Sequence, residues 1–169
     1  MHRFGLVAAG AAMLFGFSVH AEEIRVEINK INETGIAEPV GVIVAAETAA
    51  GLTLTPDLKG LPPGPHGFHV HEFPDCGAKE KDGKPVAGLA AGNHFDPKNT
   101  GKHAGPAGDG HVGDLPVLSV APDGTAKEAV IAKRLRVADL RGHSLMIHAE
   151  NDNYADKPGG ARIACGVAK

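Results

Sequence analysis

The chain has 169 residues, in which 17 lysines and arginines stand against 20 aspartates and glutamates, so its formal net charge is −3. That length suits a single domain. The acidic balance argues against a nucleic-acid partner, because binding to nucleic acid depends on basic surface. The 23 glycines and 12 prolines favour strands joined by turns and long loops.

The first 21 residues have the pattern of a secretory signal peptide. Arg3 supplies a basic start, an apolar run covers residues 4–17, and the segment ends with Ala21. The apolar run is too short to span a bilayer comfortably. We therefore expect a signal peptide over residues 1–21, a mature domain over residues 22–169 and no membrane span after cleavage. A buried N-terminal helix is the alternative.

Short runs of alternating apolar and polar residues follow in chain order. They predict eight strands, over residues 24–31, 41–46, 51–55, 66–71, 115–120, 126–131, 144–148 and 161–167. Eight short strands in a domain of this size indicate an all-β fold, an antiparallel sandwich or barrel. Residues 72–114 and 149–160 do not fit strands, and we expect two long functional loops there.

The fourth predicted strand carries a His-x-His pattern. Residues two apart on a strand point to the same face, so His69 and His71 can converge on one metal ion. Phe68 and Val70 then point into the core, which places the site on the outer wall of the barrel. The seventh strand repeats this arrangement, with His148 facing outward. Each pattern is a weak signal by itself, because a solvated or structural histidine fits it as well.

The first long loop adds further metal-ligand types. It holds His94, His103 and His111, and Asp114 follows three residues after the last of them. Six of the eight histidines in the mature chain lie between His66 and His111, a density that suggests metal. Three imidazole nitrogens and one carboxylate oxygen can form a closed tetrahedral site of the structural zinc type.

Cys76 and Cys165 are the two cysteines of the chain. An exported protein with an even number of cysteines usually pairs them, and two free thiols are the alternative. A bond between them would close a loop of about 90 residues. The chain-entropy model gives such a bond roughly 4–5 kcal/mol of stabilisation as an upper figure.

Together these motifs resemble the copper,zinc superoxide dismutases. The matching segments run in order through nearly all of the mature chain, over residues 66–72, 92–97, 103–106, 110–115, 147–148 and 160–167. The insertion over residues 78–91 and the short second loop resemble the periplasmic bacterial branch. The resemblance implies an immunoglobulin-like, eight-stranded Greek-key barrel in the periplasm. It also implies conversion of superoxide to oxygen and hydrogen peroxide, in antioxidant defence of the cell envelope.

The resemblance also implies one copper and one zinc per subunit. Copper would cycle between two oxidation states beside a structural zinc. The residues that match the copper ligands are His69, His71, His94 and His148. The residues that match the zinc ligands are His94, His103, His111 and Asp114. His94 belongs to both sets and would bridge the metals as an imidazolate.

Further positions match residues around the metals. Asp152 matches a carboxylate that links a ligand of each metal. Arg162 matches the arginine beside copper that attracts the superoxide anion, and together with His94 it is a predicted catalytic residue. Cys76 and Cys165 match the disulfide of the family, which would attach the first long loop to the strand that carries Arg162.

The remaining histidines and several lysines receive other roles. His66 matches a structural histidine that hydrogen-bonds loop backbone, and His143 matches no site of the family and is predicted to lie on the surface. A set of loop lysines has two possible roles: they extend the attraction for superoxide, or they form a solvated charge cluster. They are Lys79, Lys81, Lys84 and Lys157.

Two other classes of protein would keep the histidines. A non-catalytic periplasmic protein that binds copper and zinc would need neither a bridging histidine nor an arginine that guides anions. A metallohydrolase would need a catalytic zinc with an open position and a nearby general base. Arg162 and the shared His94 favour the enzyme instead. The sequence leaves the oligomeric state open, with a homodimer among the possibilities.

Overall fold

The alternating runs form strands in the computed structural model, which describes residues 22–155 and 158–169. The predicted signal peptide and Lys157 lie outside the described residues. The strands are β1 (Glu23–Asn32), β2 (Gly35–Thr48), β3 (Gly51–Leu58), β4 (Gly64–His66), β5 (Phe68–His71), β6 (Lys79–Lys81), β7 (Lys84–Val86), β8 (Leu118–Val120), β9 (Val130–Ala132), β10 (Ser144–His148) and β11 (Arg162–Val167). Two short 3-10 helices cover Leu89–Ala91 and Val137–Leu140.

Seven of these strands form one curled antiparallel sheet, in the order β5-β10-β11-β1-β2-β3-β9. β4 pairs with β8 beside it. β4 and β5 correspond to one predicted strand, which is interrupted at Gly67, where the backbone N–H donates to the carbonyl oxygen of Glu150 in the second loop at 2.8 Å. With those two counted together, the all-β antiparallel barrel of eight strands is confirmed, and a separate hairpin is added to it.

That hairpin corrects the prediction for residues 72–114, which we expected to hold no strand. β6 and β7 pair there, with Lys79 opposite Val86. Asp82 and Gly83 form the turn with φ values of 53° and 75°, as a two-residue hairpin turn requires. The Asp-Gly pair was the available signal, but the flanking strands are short, charged and exposed and show no clear alternation.

Two predicted strands are shorter in the structure. Only Leu118–Val120 of residues 115–120 is a strand. For residues 126–131 the strand is Val130–Ala132, and Ala126 makes only an isolated bridge to Leu58. Residues 115–117 and 127–129 belong to no strand, so apolar alternation extends further than the hydrogen-bonded ladder.

Alternate residues of the strands fill the barrel core. Phe68 and Val70 are fully buried in it, as the alternation predicted, and Leu145 and Ile147 of β10 join them. Each large apolar side chain buried in this way contributes about 1.5–3 kcal/mol. On the opposite face of β10, Met146 packs in a second, smaller cluster beneath the first loop, so the outer face there is covered as well.

Two long loops leave neighbouring strands, because β5 and β10 pair directly, with His69 opposite Met146. The first loop follows β5 and the second follows β10. Among the described residues, no helix is long and apolar enough to cross a membrane. The ladder therefore brings both histidine-bearing strands and the start of both loops to one side of the barrel.

Candidate metal centre

Four histidine side chains meet on the outer face of β5 and β10. His69, His71, His94 and His148 each offer one nitrogen within 4.8 Å of the others. β5 supplies two of the rings because positions two apart share a face, and β10 supplies one. His94 comes from the first loop, which returns to β5 through an isolated backbone bridge between His71 and His94.

Hydrogen bonds determine which ring nitrogen faces this cluster. Nδ1 of His71 donates to the carbonyl oxygen of Gly92 at 3.0 Å, and Nδ1 of His148 donates to that of Gly160 at 2.9 Å. Since a carbonyl oxygen only accepts, both rings carry their proton on Nδ1 and turn the Nε2 lone pair inward. For His69 the assignment is reversed, because its Nε2 lies 2.7 Å from Asp152 Oδ2 and leaves Nδ1 facing the cluster.

A second group of ligand types surrounds the carboxylate of Asp114. Nδ1 of His94 lies 2.8 Å from Asp114 Oδ1, Nδ1 of His103 lies 3.0 Å from Oδ2, and Nδ1 of His111 lies 3.4 Å from Oδ1. His94 thus belongs to both groups. The set of four that lies mutually within 4.8 Å contains His69 in place of His111. The His69 ring stacks on that of His94 with 3.9 Å between centroids.

One buried carboxylate connects the two groups. Asp152 places Oδ2 at 2.7 Å from Nε2 of His69 and Oδ1 at 2.8 Å from Nε2 of His103. The second loop holds this carboxylate in place, since the backbone N–H of Tyr154 also donates to Oδ1. A carboxylate in this position fixes the tautomer and orientation of a histidine in each group.

Five buried histidine nitrogens have no hydrogen-bond partner among the described residues, namely Nδ1 of His69, Nε2 of His71, Nε2 of His148, Nδ1 of His103 and Nδ1 of His111. A buried polar atom without a partner costs about 1–3 kcal/mol, so proteins rarely keep one without a reason. All five face one of the two groups, and Nδ1 of His103 and of His111 lie near Asp114 without the geometry of a hydrogen bond. In His69, His71, His103 and His148 the other ring nitrogen is hydrogen-bonded, so the atom that faces the group carries the lone pair. Imidazole nitrogen suits both copper and zinc, and the carboxylate of Asp114 suits zinc.

Burial and neighbouring charges keep the three strand-borne histidines and Asp114 in the form that binds metal. Burial lowers the pKa of His148 to about 4 and also lowers the pKa values of His69 and His71 well below the ordinary one. Burial acts to raise the pKa of Asp114, but the hydrogen bond and charge of His94 outweigh it and bring that pKa to about 2. For His103, burial acts to lower the pKa, but the hydrogen bonds and charges of Asp152 and Asp114 outweigh it and raise that pKa. Near neutral pH, the strand-borne imidazoles are therefore uncharged and Asp114 is an anion.

Comparison with known proteins agrees with this site. The family model for copper/zinc superoxide dismutase matches residues 40–168. This chain belongs to the copper/zinc superoxide dismutase family. Superoxide dismutase [Cu-Zn] 2 of Salmonella typhimurium is 48% identical over 170 residues, which cover 97% of this chain and 98% of that protein. The superoxide dismutase [Cu-Zn] of Escherichia coli K12 is 46% identical over 175 residues and covers both chains fully.

Solved structures of family members have the same fold. The Cu/Zn superoxide dismutase from Brucella abortus superposes with a TM-score of 0.85 at 49% identity, covering 88% of this chain and all of that one. The monomeric copper, zinc superoxide dismutase from Salmonella enterica gives a TM-score of 0.80, also at 49% identity, with the same coverage. Membership of this family accounts for copper and zinc as the cofactors and for histidine groups able to hold them.

Arg162 lines the cleft above the histidine groups. The cleft measures about 530 Å³ and is also lined by His94, His111 and His148. The guanidinium of Arg162 is directed by two backbone acceptors, with Nη1 2.5 Å from the carbonyl oxygen of Gly88 and Nη2 2.7 Å from that of Gly92. Partial burial lowers its pKa, yet a guanidinium stays charged in proteins. The cleft therefore holds a fixed positive charge.

The disulfide between Cys76 and Cys165 is present, with 5.7 Å between the Cα atoms and 89 residues between the partners in sequence. It attaches the first loop to β11. Both cysteines are buried there in one cluster with Met146 and with Ala91 of the 3-10 helix Leu89–Ala91. Gly88 and Gly92, the acceptors for Arg162, flank that helix. The pairing thus fixes the part of the loop that orients the cleft arginine.

Two histidines outside the metal groups support the backbone. His66 is buried, and its ring nitrogens lie 2.7 Å from the carbonyl oxygens of His148 and Pro62, as predicted for a structural histidine. The prediction that His143 lies on the surface is wrong. It is half-buried, its Nδ1 is 2.8 Å from the carbonyl oxygen of Glu72, and its ring stands 4.2 Å from that of Phe95.

The first loop also pairs with β5, which is the outermost strand of the seven-stranded sheet. Val70 donates to the carbonyl oxygen of Gly113 at 2.9 Å and accepts from the N–H of Phe95 at 2.8 Å. Glycine is needed at position 113 because a Cβ there would clash with the carbonyl oxygen of Val70 and with the backbone of Phe95. Backbone contacts along β5 therefore bring Asp114 and His94 to the histidines of the strand.

Proposed function

We propose that this chain is a superoxide dismutase that converts two superoxide ions and two protons into one oxygen and one hydrogen peroxide molecule. The carrying observation is that His94 belongs to two histidine groups at once. Copper, when bound, supplies the one-electron redox chemistry, and zinc, which has no redox chemistry, supplies structure and charge. A metal carrier without turnover would not need one ring shared between two such groups.

In the proposed assignment, every histidine except His94 binds through its unpartnered buried nitrogen. Copper would be held by Nδ1 of His69, Nε2 of His71, Nε2 of His148 and a nitrogen of His94. Zinc would be held by the Nδ1 atoms of His94, His103 and His111 with the carboxylate of Asp114. We prefer His111 over His69 for zinc, because the Nε2 of His69 is bonded to Asp152 and its Nδ1 faces the other histidines.

His94 and Arg162 are the proposed catalytic residues. Nδ1 of His94 faces Asp114, so its Nε2, when it is not bonded to copper, is the atom that can take up a proton and pass it to the peroxide formed from superoxide. Arg162 offers a fixed cation with directional N–H donors that suits a small anion such as superoxide. Asp152 keeps His69 and His103 in the tautomers that leave their Nδ1 lone pairs free.

Export, location and assembly are also part of the proposal. We propose that residues 1–21 are a signal peptide, that residues 22–169 form the mature domain and that this domain acts in the periplasm. The exposed lysines of the β6–β7 hairpin, Lys79, Lys81 and Lys84, would add to the attraction for superoxide. A homodimer stays a prediction, to be tested by sedimentation against the monomeric relative from Salmonella enterica.

The decisive experiment measures superoxide decay with the purified mature domain loaded with copper and zinc. Metal analysis, the optical spectrum and the electron spin resonance spectrum of the same sample report on both ions. We expect about one copper and one zinc per chain, with rapid removal of superoxide that disappears when copper is removed. A fully metallated protein that leaves the rate of superoxide decay unchanged would overturn the proposal and favour a non-catalytic copper and zinc protein.

A further inference from the structure

All the N–H groups of the Arg134 side chain donate to the backbone of one loop. A guanidinium has five N–H bonds, and all five point to backbone carbonyl oxygens of residues 105–111. The distances are 3.0 Å from Nε to Pro106, 2.8 and 3.1 Å from Nη1 to Gly108 and Gly110, and 3.0 and 2.5 Å from Nη2 to Gly105 and His111.

This loop has few other means of keeping its shape. Residues 101–111 include four glycines, and the described structure assigns no strand or helix to them. Five carbonyl groups that converge on one point repel one another, because their negative ends meet. A charged guanidinium placed at that point offsets the repulsion and satisfies oxygens that would otherwise be shielded from water.

The contacts of Arg134 lead directly to proposed zinc ligands. The carbonyl oxygen of His111 is one of its acceptors. Gly105 accepts from Arg134 at its carbonyl and donates its N–H to Asp114 Oδ2 at 3.2 Å. The neighbouring N–H of Ala104 donates to the same oxygen at 3.1 Å. Arg134 therefore fixes the loop at both ends of the His103 to His111 span.

Arg134 itself is anchored in the barrel. It lies just after β9, in a turn in which the N–H of Leu135 contacts the carbonyl of Ala132 at 3.4 Å. Ala132 and Leu135, which lie on either side of Arg134 in this turn, are both buried in the core. The guanidinium therefore projects from a rigid part of the molecule into a loop that has no regular structure.

We infer that Arg134 is a positioning residue for zinc, which holds His103 and His111 close to their binding geometry before the metal arrives. The inference rests on the proposed zinc site. Preorganisation by an outer contact of this kind is commonly worth about 10- to 100-fold in metal affinity. The copper ligands on β5 and β10 do not depend on this loop, so copper affinity changes less than zinc affinity.

The test uses the full mature domain, freed of metal and titrated with zinc against a chromophoric chelator. Arg134→Met is compared with the wild type and with Lys133→Gln, which removes one positive charge from an exposed neighbouring side chain. We expect Arg134→Met to lower zinc affinity by about 10- to 100-fold and Lys133→Gln to leave it unchanged. Amide hydrogen exchange of the metal-free protein should show faster exchange over residues 103–111 in Arg134→Met, with β1, β2 and β3 unchanged.

Other outcomes contradict the inference. If Arg134→Met lowers the melting temperature of the metal-free barrel while its folded fraction binds zinc as tightly as the wild type, the role is structural only. Should that variant not fold, Arg134→Lys decides, because an ammonium with three donors cannot serve five acceptors. Wild-type zinc affinity in Arg134→Lys would overturn the inference. A wild-type protein that binds no zinc would instead overturn the proposed function.

Discussion

The two proposed metal sites share one histidine but are built in different ways. His69, His71 and His148 stand on β5 and β10, whose ladder and buried apolar neighbours hold the rings in place. His103 and His111 stand on an irregular loop, which is held by side chains that hydrogen-bond its backbone. Strand register places three of the four proposed copper ligands, whereas the zinc side needs a set of separate long-range contacts.

The largest expected effect comes from removing one ligand on each side. A structural zinc site contributes about 10–16 kcal/mol of binding free energy, so the loss of one ligand in four should lower affinity on the order of 100- to 1000-fold. We expect His111→Ala to lose zinc affinity to this extent and to increase amide exchange throughout the loop. His71→Ala should lose copper while the exchange of the barrel strands stays as in the wild type.

His143→Gln serves as the matched control for both variants, because His143 is half-buried next to the site but offers no ligand to either group. It should retain both metals. If His71→Ala instead increases amide exchange in the barrel strands as much as His111→Ala does in the loop, the strands do not hold the copper side independently of metal. The contrast between the two sites then fails.

Asp152→Ala tests whether the two sites are coupled. The substitution removes the acceptor that orients His69 for copper and His103 for zinc. We expect the affinities for both metals to fall by about 10- to 100-fold, measured by chelator competition for each ion separately. A loss confined to zinc would indicate that β5 orients His69 without help from the carboxylate.

Arg162→Ala should lower the rate of superoxide decay by about tenfold and weaken its dependence on ionic strength, because the fixed charge of the cleft is lost. Copper and zinc contents should stay unchanged. Arg162→Lys keeps the charge and should recover part of the rate. Since the carbonyl of Gly92 accepts from both Arg162 and His71, an equal loss of copper in Arg162→Ala would assign the arginine a structural role.

The smallest expected effect concerns Tyr154, whose hydroxyl accepts from the N–H of Val117 at 2.9 Å and whose side chain packs against Gly105. Tyr154→Phe keeps the packing and removes one hydrogen bond, which is worth about 1 kcal/mol. We expect a small decrease in the free energy of unfolding of the metal-free protein by urea titration, with copper affinity unchanged. A copper loss comparable to that of Asp152→Ala would contradict this order of effects.

The same contrast explains what could be predicted from the sequence. The positions of His69, His71 and His148 follow from a two-residue period, and the burial of Phe68 and Val70 agrees with it. The set of four loop residues was visible as a cluster of ligand types. Zinc as their metal followed from the ligand types. The role of Asp152 came only from resemblance to a family, because no local period links residues 49 positions apart.

Other features had no signal of this kind. Arg134 and His143 act on backbone carbonyl oxygens of distant segments, and a carbonyl group is present at every residue, so nothing in the sequence marks the partner. In the sequence, Arg134 resembles an ordinary charged residue between the exposed Lys133 and the buried Leu135. Such contacts depend on the path that the first loop takes, which the strand pattern does not determine.

The pairing of the first loop with β5 has a further consequence for the newly folded chain. An outermost strand exposes unpaired amide and carbonyl groups that can recruit a strand from another molecule. Here Gly113 and Phe95 occupy those groups on Val70, and their position depends on the same loop that would receive zinc. Zinc starvation would therefore promote strand-to-strand aggregation, in addition to leaving the enzyme incomplete.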